Sequence, residues 1–154
     1  MAMTNNIVVS LVSTLTGTDG LAAKTASLAE IIQESLTSVA CSLLYSTSGT
    51  ISGGADEYDL AGSLKTPIGD AAVFAKAMLV FIRNNGTNAM TVGAANNIPI
   101  FADTSDKLTL AKNAWFLFCN PAGVTVTAGT GDLITIAGTN ADTYDLIVIG
   151  APAA

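Results

Sequence analysis

A chain of 154 residues that is 50% hydrophobic, 12% charged and 6% aromatic has the size of one ordinary domain and enough apolar content to bury a core without metal or disulfide staples. It contains no histidine, which excludes Ser-His-Asp and Cys-His catalysis, imidazole metal ligation and any side chain that ordinarily titrates near neutrality. Six Lys and Arg against 12 Asp and Glu give a net charge of −6, and the cations Lys24, Lys65, Lys76, Arg83, Lys107 and Lys112 are scattered singly, so neither nucleic acid nor an anionic membrane surface is an expected partner.

The mean hydropathy of +0.53 raises the question of a membrane span. The longest apolar stretch runs only from Ala71 to Ile82 and is broken by Lys76, well short of the roughly 20 residues a spanning helix needs. Met1 to Asn6 is polar and lacks the basic-then-apolar pattern of a secretory signal, so folding in a cytoplasm is expected. Cys41 and Cys119 can pair in principle. Neither belongs to a CxxC, and both lie among apolar residues, which favours two reduced core thiols.

In chain order, the first element is a strand from Ile7 to Thr16: Ile7, Val9, Leu11 and Leu15 alternate with Ser10, Thr14 and Thr16, and Gly17 to Gly20 closes the run. Leu28 to Ser38 fits two patterns equally. Leu28, Ile31, Ile32 and Leu36 have helical spacing with Ser27 and Glu30 as a capping box, while Ala29 to Ser35 also serves as a strand. Ala40 to Ser46 is a strand candidate and Ser48 to Gly54 a loop or hairpin. Ala77 to Arg83 is a continuous apolar run stopped by Asn84, Asn85 and Gly86, the pattern of a central buried strand.

Short strands are then predicted at Met90 to Gly93, Ile98 to Phe101, Lys107 to Leu110, Trp115 to Cys119, Val124 to Thr127, Asp132 to Ile136 and Tyr144 to Ile149. Thr125 to Leu133, TVTAGTGDL, carries a hairpin signal, and the last strand, apolar on both sides, is expected to be covered on both faces. Apolar runs punctuated at roughly ten-residue intervals predict an all-β fold, an antiparallel sandwich or jelly roll of about eight to ten strands. The expected organisation is an N-terminal strand or arm, 1–26, and one sandwich domain, 27–154, with the one short helix, if present, near 28–38.

Candidate sites are few. Asp56, Glu57 and Asp59 lack calcium-loop spacing and read as a solvated turn entering a strand; Asp103 and Asp106 read as loop caps. A facing carboxylate pair is the one remaining route to hydrolysis, yet every acidic residue has a turn or surface explanation. Gly129 to Gly131 opens no phosphate-binding helix. No catalytic residue, cofactor site or metal site is therefore expected. Strand alternation puts Phe116 and Phe118 together in the core and Trp115 on the opposite face, where a subunit contact or sugar stacking is the candidate role. With Ile7, Val9 and Leu11, Trp115 makes up the candidate interface set.

Four stretches resemble a family of small structural proteins of tailed bacteriophages: DLAGSLKTPIG (Asp59 to Gly69), NNGTNAMTVGAA (Asn84 to Ala95), DTSDKLTLAKNAWFLFCNPAGVTVTAGTGDLITIAG (Asp103 to Gly138) and TYDLIVIGA (Thr143 to Ala151). The region that holds them, from Asp59 to the C-terminus, is about two thirds of the chain, and they are specific as a set rather than singly. The resemblance implies a virion component of the head decoration or cement type, made in the host cytoplasm and placed on the capsid surface. Its partners would be the major capsid protein and copies of itself, a trimer being common among decoration proteins. Two alternatives are a tail tube or tail-tip subunit and a carbohydrate- or receptor-binding sandwich module. A tube subunit needs an elongated hairpin, and no uninterrupted run here exceeds about ten residues, which counts against it. An arm from Thr4 to Ala26 would add a strand to a neighbour's open edge.

Overall fold

The computed structural model describes residues 5–19, 22–36, 42–94, 96–101 and 106–153, and divides the chain into two compact units. The smaller unit, Thr4–Ser38, is a hairpin of two strands, β1 (Asn5–Asp19) and β2 (Ala22–Leu36). They pair antiparallel from end to end, Asn5 opposite Leu36 and Asp19 opposite Ala22. Residues 28–36 are therefore strand, not helix. The helical spacing of Leu28, Ile31, Ile32 and Leu36 gives way because β1 supplies a full ladder partner for every residue of β2. The boundary expected after residue 26 falls inside β2. The expectation of no strand beyond about ten residues is also corrected: each strand has 15 residues and spans about 50 Å at ordinary strand rise.

The larger unit, Val39–Ala154 with Met1–Met3, is an antiparallel β-sandwich. Its strands are β3 (Leu43–Thr50), β4 (Ala55–Asp59), β5 (Phe74–Asn84), β6 (Met90–Val92), β7 (Leu108–Leu110), β8 (Trp115–Thr125), β9 (Leu133–Ala137) and β10 (Thr143–Pro152). They form two four-stranded sheets in the orders β3-β10-β5-β8 and β4-β9-β6-β7, every ladder antiparallel. The chain passes back and forth between sheets, so both inner faces draw on the whole sequence from Leu43 onward. Val80, Ile82, Leu146 and Val148 of one sheet meet Met90, Val92, Ile134 and Ile136 of the other, all essentially buried. At about 1.5–3 kcal/mol for each fully buried aliphatic side chain, this interlayer is the main source of stability.

As its apolar run predicts, β5 is central, between β10 and β8. The alternation of β8 puts Phe116 and Phe118 against the core and leaves Trp115 exposed. Three expectations are corrected. Val124 to Thr127 is not a separate strand, because β8 continues through Asn120 to Gly123 in a wide irregularity: Cys119 is opposite Leu79 and Val124 is opposite Ala77. There the Ala122 N–H donates to Asn120 Oδ1 at 3.0 Å, a local turn inside the strand. Thr125 to Leu133 turns as predicted, with Gly129 at φ 78° and a bridge from Thr127 to Gly131, but it is no hairpin ladder, since β8 and β9 belong to different sheets. Ile98 to Phe101 is not a strand either; Pro99 offers no donor, and Ile98 instead inserts into the core beside a turn at Asn96.

Candidate functional site

In the sandwich, candidate chemistry is sought where polar side chains are held in fixed positions. Three such places stand out among the described residues. The first ties the sheets together. Tyr144 on β10 is fully buried and donates its hydroxyl to Asp56 Oδ2 on β4 at 2.5 Å, while its oxygen lies 2.5 Å from the Tyr58 hydroxyl. Burial first, and then the hydrogen bond to Asp56, push the Tyr144 hydroxyl far above its ordinary 10.0, so it stays a donor. Tyr45 and Tyr144 both pack against Tyr58, with ring centroids 5.7 Å and 6.3 Å from it. Strand alternation in β4 sends Asp56 and Tyr58 inward and leaves Glu57 and Asp59 exposed, so the acidic cluster is divided between two faces. Asp59 accepts from the Ala61 N–H at 2.9 Å, as a turn residue does. Among the described residues no group of three carboxylates or thiols is assembled that a metal could use.

The second place pins loops at one end of the sandwich. Asn84, fully buried at the end of β5, donates from Nδ2 to the carbonyls of Asn88 and Leu110 at 2.8 Å and 3.0 Å and accepts from the Gly86 N–H at 2.9 Å. Asp142 accepts from the Thr87 N–H at 2.8 Å and from Asn88 Nδ2 at 3.1 Å. These bonds, the Thr87 backbone donor foremost, hold its carboxyl below the ordinary 3.8 although burial opposes them. Both residues serve backbone satisfaction.

The third place is the outer face of the sheet β3-β10-β5-β8. Register aligns Ser48, Asp145, Arg83 and Trp115 in one row across all four strands, and Ser46, Ile147, Phe81 and Leu117 in the next. Asp145 accepts from Ser48 Oγ and from Asn85 Nδ2, each at 2.6 Å. The Ser48 and Asn85 bonds, with a smaller contribution from Arg83, depress its pKa below the ordinary value. Trp115 is 57% exposed and leans on Phe81, ring centroids 6.5 Å apart at 31°. A groove of about 330 Å³ lies beside them, lined by Ser46, Ser48, Phe81, Asp145 and Ile147 among others.

Of the candidate interface residues, Trp115 is on this face, and Ile7, Val9 and Leu11 share one register face of β1 while their side chains lie outside the described residues. Cys119 is exposed on β8; Cys41 and Asp103 lie outside the described residues. Sequence reasoning missed Tyr144, Asp145 and Ser48. The available signal was Asp145 itself, a single carboxylate inside the otherwise apolar TYDLIVIG strand. No helix among the described residues is long and apolar enough to cross a membrane. Compared with protein-family models, with curated proteins and with solved structures, the chain matches none.

Proposed function

We propose that the chain is a structural, non-catalytic subunit of a tailed-bacteriophage virion that binds the major capsid protein as a head decoration or cement protein. The observation that carries this reading is the β1–β2 hairpin. A lone two-stranded hairpin is marginal in water, yet this one has 15-residue strands and no third strand on either edge among the described residues. An element of that kind is stabilised by a partner that supplies a further strand or covers a face. Register puts Ile7, Val9, Leu11 and Leu15 with Leu28, Ile32 and Leu36 on one face, where Asp19, Lys24, Glu30 and Glu34 also lie, so a partner covering it would meet apolar and charged residues together.

The β3 edge supports self-association as well. It carries neither charge nor proline over eight residues, whereas β4 is acidic, β7 has three residues and β8 contains Pro121. In this reading the protein reinforces a shell by mass action, since a ligand that binds only the assembled state stabilises it by its binding free energy.

The length of the hairpin also favours a second reading, a tail-tube subunit whose hairpins join into a continuous barrel around the channel. One experiment separates the two. The purified chain is examined by electron microscopy alone and after mixing with expanded, DNA-filled heads of the phage whose genome encodes it. A decoration protein remains a small oligomer, sediments with the heads and raises their disruption temperature. A tube subunit forms rings or tubes without heads. Neither behaviour would remove both readings.

A further inference from the structure

We propose that the outer face of the sheet β3-β10-β5-β8 is a binding site for a neutral oligosaccharide, with Trp115 as the stacking platform and Asp145 as the fixed hydrogen-bond acceptor. This goes beyond the virion reading and does not depend on it.

A sugar ring presents an apolar face of C–H groups and a rim of hydroxyls that both donate and accept. A site for it therefore needs a flat aromatic surface beside polar groups held in place. Trp115 supplies the surface: the indole is mostly exposed, and Phe81 fixes its tilt from the diagonal position on β5. Asp145 supplies the acceptor. Its two oxygens are oriented by Ser48 and Asn85, and each retains a lone pair for a ligand hydroxyl. Arg83 lies between Trp115 and Asp145 in the same row and brings donors.

Trp115 and Asp145 are two strands apart, which is about 10 Å at ordinary strand spacing. That distance suits two linked pyranose rings, one stacked on Trp115 and the next in the groove of about 330 Å³ bounded by Ser46, Ser48 and Ile147.

Charge selects among ligand classes. One Arg and one Asp in the row leave the site near neutral, while the chain as a whole carries −6, so phosphates and sialylated or sulfated sugars are disfavoured. A protein partner is the less suitable occupant, since interface centres are depleted of charge and here Arg83 and Asp145 occupy the middle of the row.

Trp115 is the single tryptophan of the chain, so its fluorescence reports this face alone. The full-length protein is titrated with lactose, maltose, cellobiose and N,N′-diacetylchitobiose, and applied to an array of neutral oligosaccharides. The expected result is a saturable change in Trp115 emission with at least one sugar. Asp145→Asn and Ser48→Ala should each weaken it about tenfold, the size of losing a hydrogen bond to a charged acceptor. Ser48 is exposed, so Ser48→Ala tests the site even where Asp145→Asn disturbs the strand. Trp115→Ala, followed by calorimetry, should abolish binding while the far-ultraviolet spectrum is unchanged. Absence of binding to every sugar overturns the proposal, as does binding that survives Trp115→Ala. An emission that changes only with protein concentration overturns it too, because the face would then be a contact between copies.

Discussion

Gly49→Ala puts a methyl group into the Tyr144 ring. Gly49 is opposite Tyr144 in the β3–β10 ladder, and a Cβ built there lies 2.3 Å from both Cζ and Oη and 2.8 Å from Cε2. Ordinary contact begins near 3.4 Å, so the ring would have to move by about 1 Å. Tyr144 has no room to move: it is fully buried, and its hydroxyl is held between Asp56 and Tyr58. Overpacking alone costs about 1–3 kcal/mol. Losing the buried hydroxyl's bonds adds about 1–3 kcal/mol, so a total near 3 kcal/mol is expected. At roughly 4 °C per kcal/mol for a unit of this size, the melting temperature should fall by about 10 °C.

The assay is urea unfolding of Gly49→Ala, Tyr144→Leu and the double variant. Tyr144→Leu destabilises on its own because it strands Asp56, but it also clears space for the new methyl group. The double variant should therefore be at least about 1 kcal/mol more stable than the sum of the two losses. Simple additivity, or a loss below about 1 kcal/mol for Gly49→Ala, would refute the packing argument. Since Asp145 is the next residue on the same strand, a displaced Tyr144 should also weaken any ligand held by Asp145.

Thr135 is buried, and its Oγ1 has no hydrogen-bond partner among the described residues, so Thr135→Val should raise stability by about 1 kcal/mol in thermal unfolding. A fall in melting temperature would mean that the hydroxyl is satisfied. Asp142 and Asp145 have depressed folded-state pKa values, so on acidification the unfolded chain takes up their protons first. Their stabilisation is complete above the ordinary 3.8 and is lost as pH falls through their lower folded values. Urea midpoints measured from pH 6 down to pH 2 should drop in that window, and Asp142→Asn should be weaker at pH 6 but less sensitive to acid. Deleting residues 1–38 should leave a cooperatively unfolding sandwich that no longer sediments with heads; full binding by the deleted form would remove the hairpin from the attachment argument.

The all-β class was legible because it rests on period-two alternation and on turn residues, both local. Alternation places Phe116 and Phe118 in the core, and an unbroken apolar run bounded by Asn84, Asn85 and Gly86 places Ala77 to Arg83 as a central strand. The element at Leu28 to Ser38 was not legible, because its spacing satisfies a helix and a strand alike and the decision comes from a partner strand in β1. The same holds for Ile98 to Phe101, where the apolar content is right but the backbone of Asn96 and Pro99 prevents a ladder. The Thr125 to Leu133 turn shows that Gly-rich chemistry specifies a reversal without specifying which sheet the chain enters next. The Ser48–Asp145–Arg83–Trp115 row could not be read in advance, since it joins four strands whose neighbours are fixed only by tertiary pairing.

The acidity of the chain also has a different meaning in three dimensions. Counted along the sequence, carboxylates suggest a charged surface that repels anions. In the fold, several are tied to donors: Asp142 to the Thr87 N–H, Asp132 to the Gly129 N–H at 2.5 Å, Asp59 to the Ala61 N–H and Asp56 to the Tyr144 hydroxyl. Each satisfies a backbone or hydroxyl donor that would otherwise be left at a turn or between the sheets, and Asp132 and Asp142 are themselves buried. These carboxylates act as fasteners more than as a field, which is why an acidic chain can still present a face where one Asp and one Arg nearly cancel. The ligand class that follows from that face is set by local balance, neutral and hydroxyl-rich, and not by the net charge of the whole molecule.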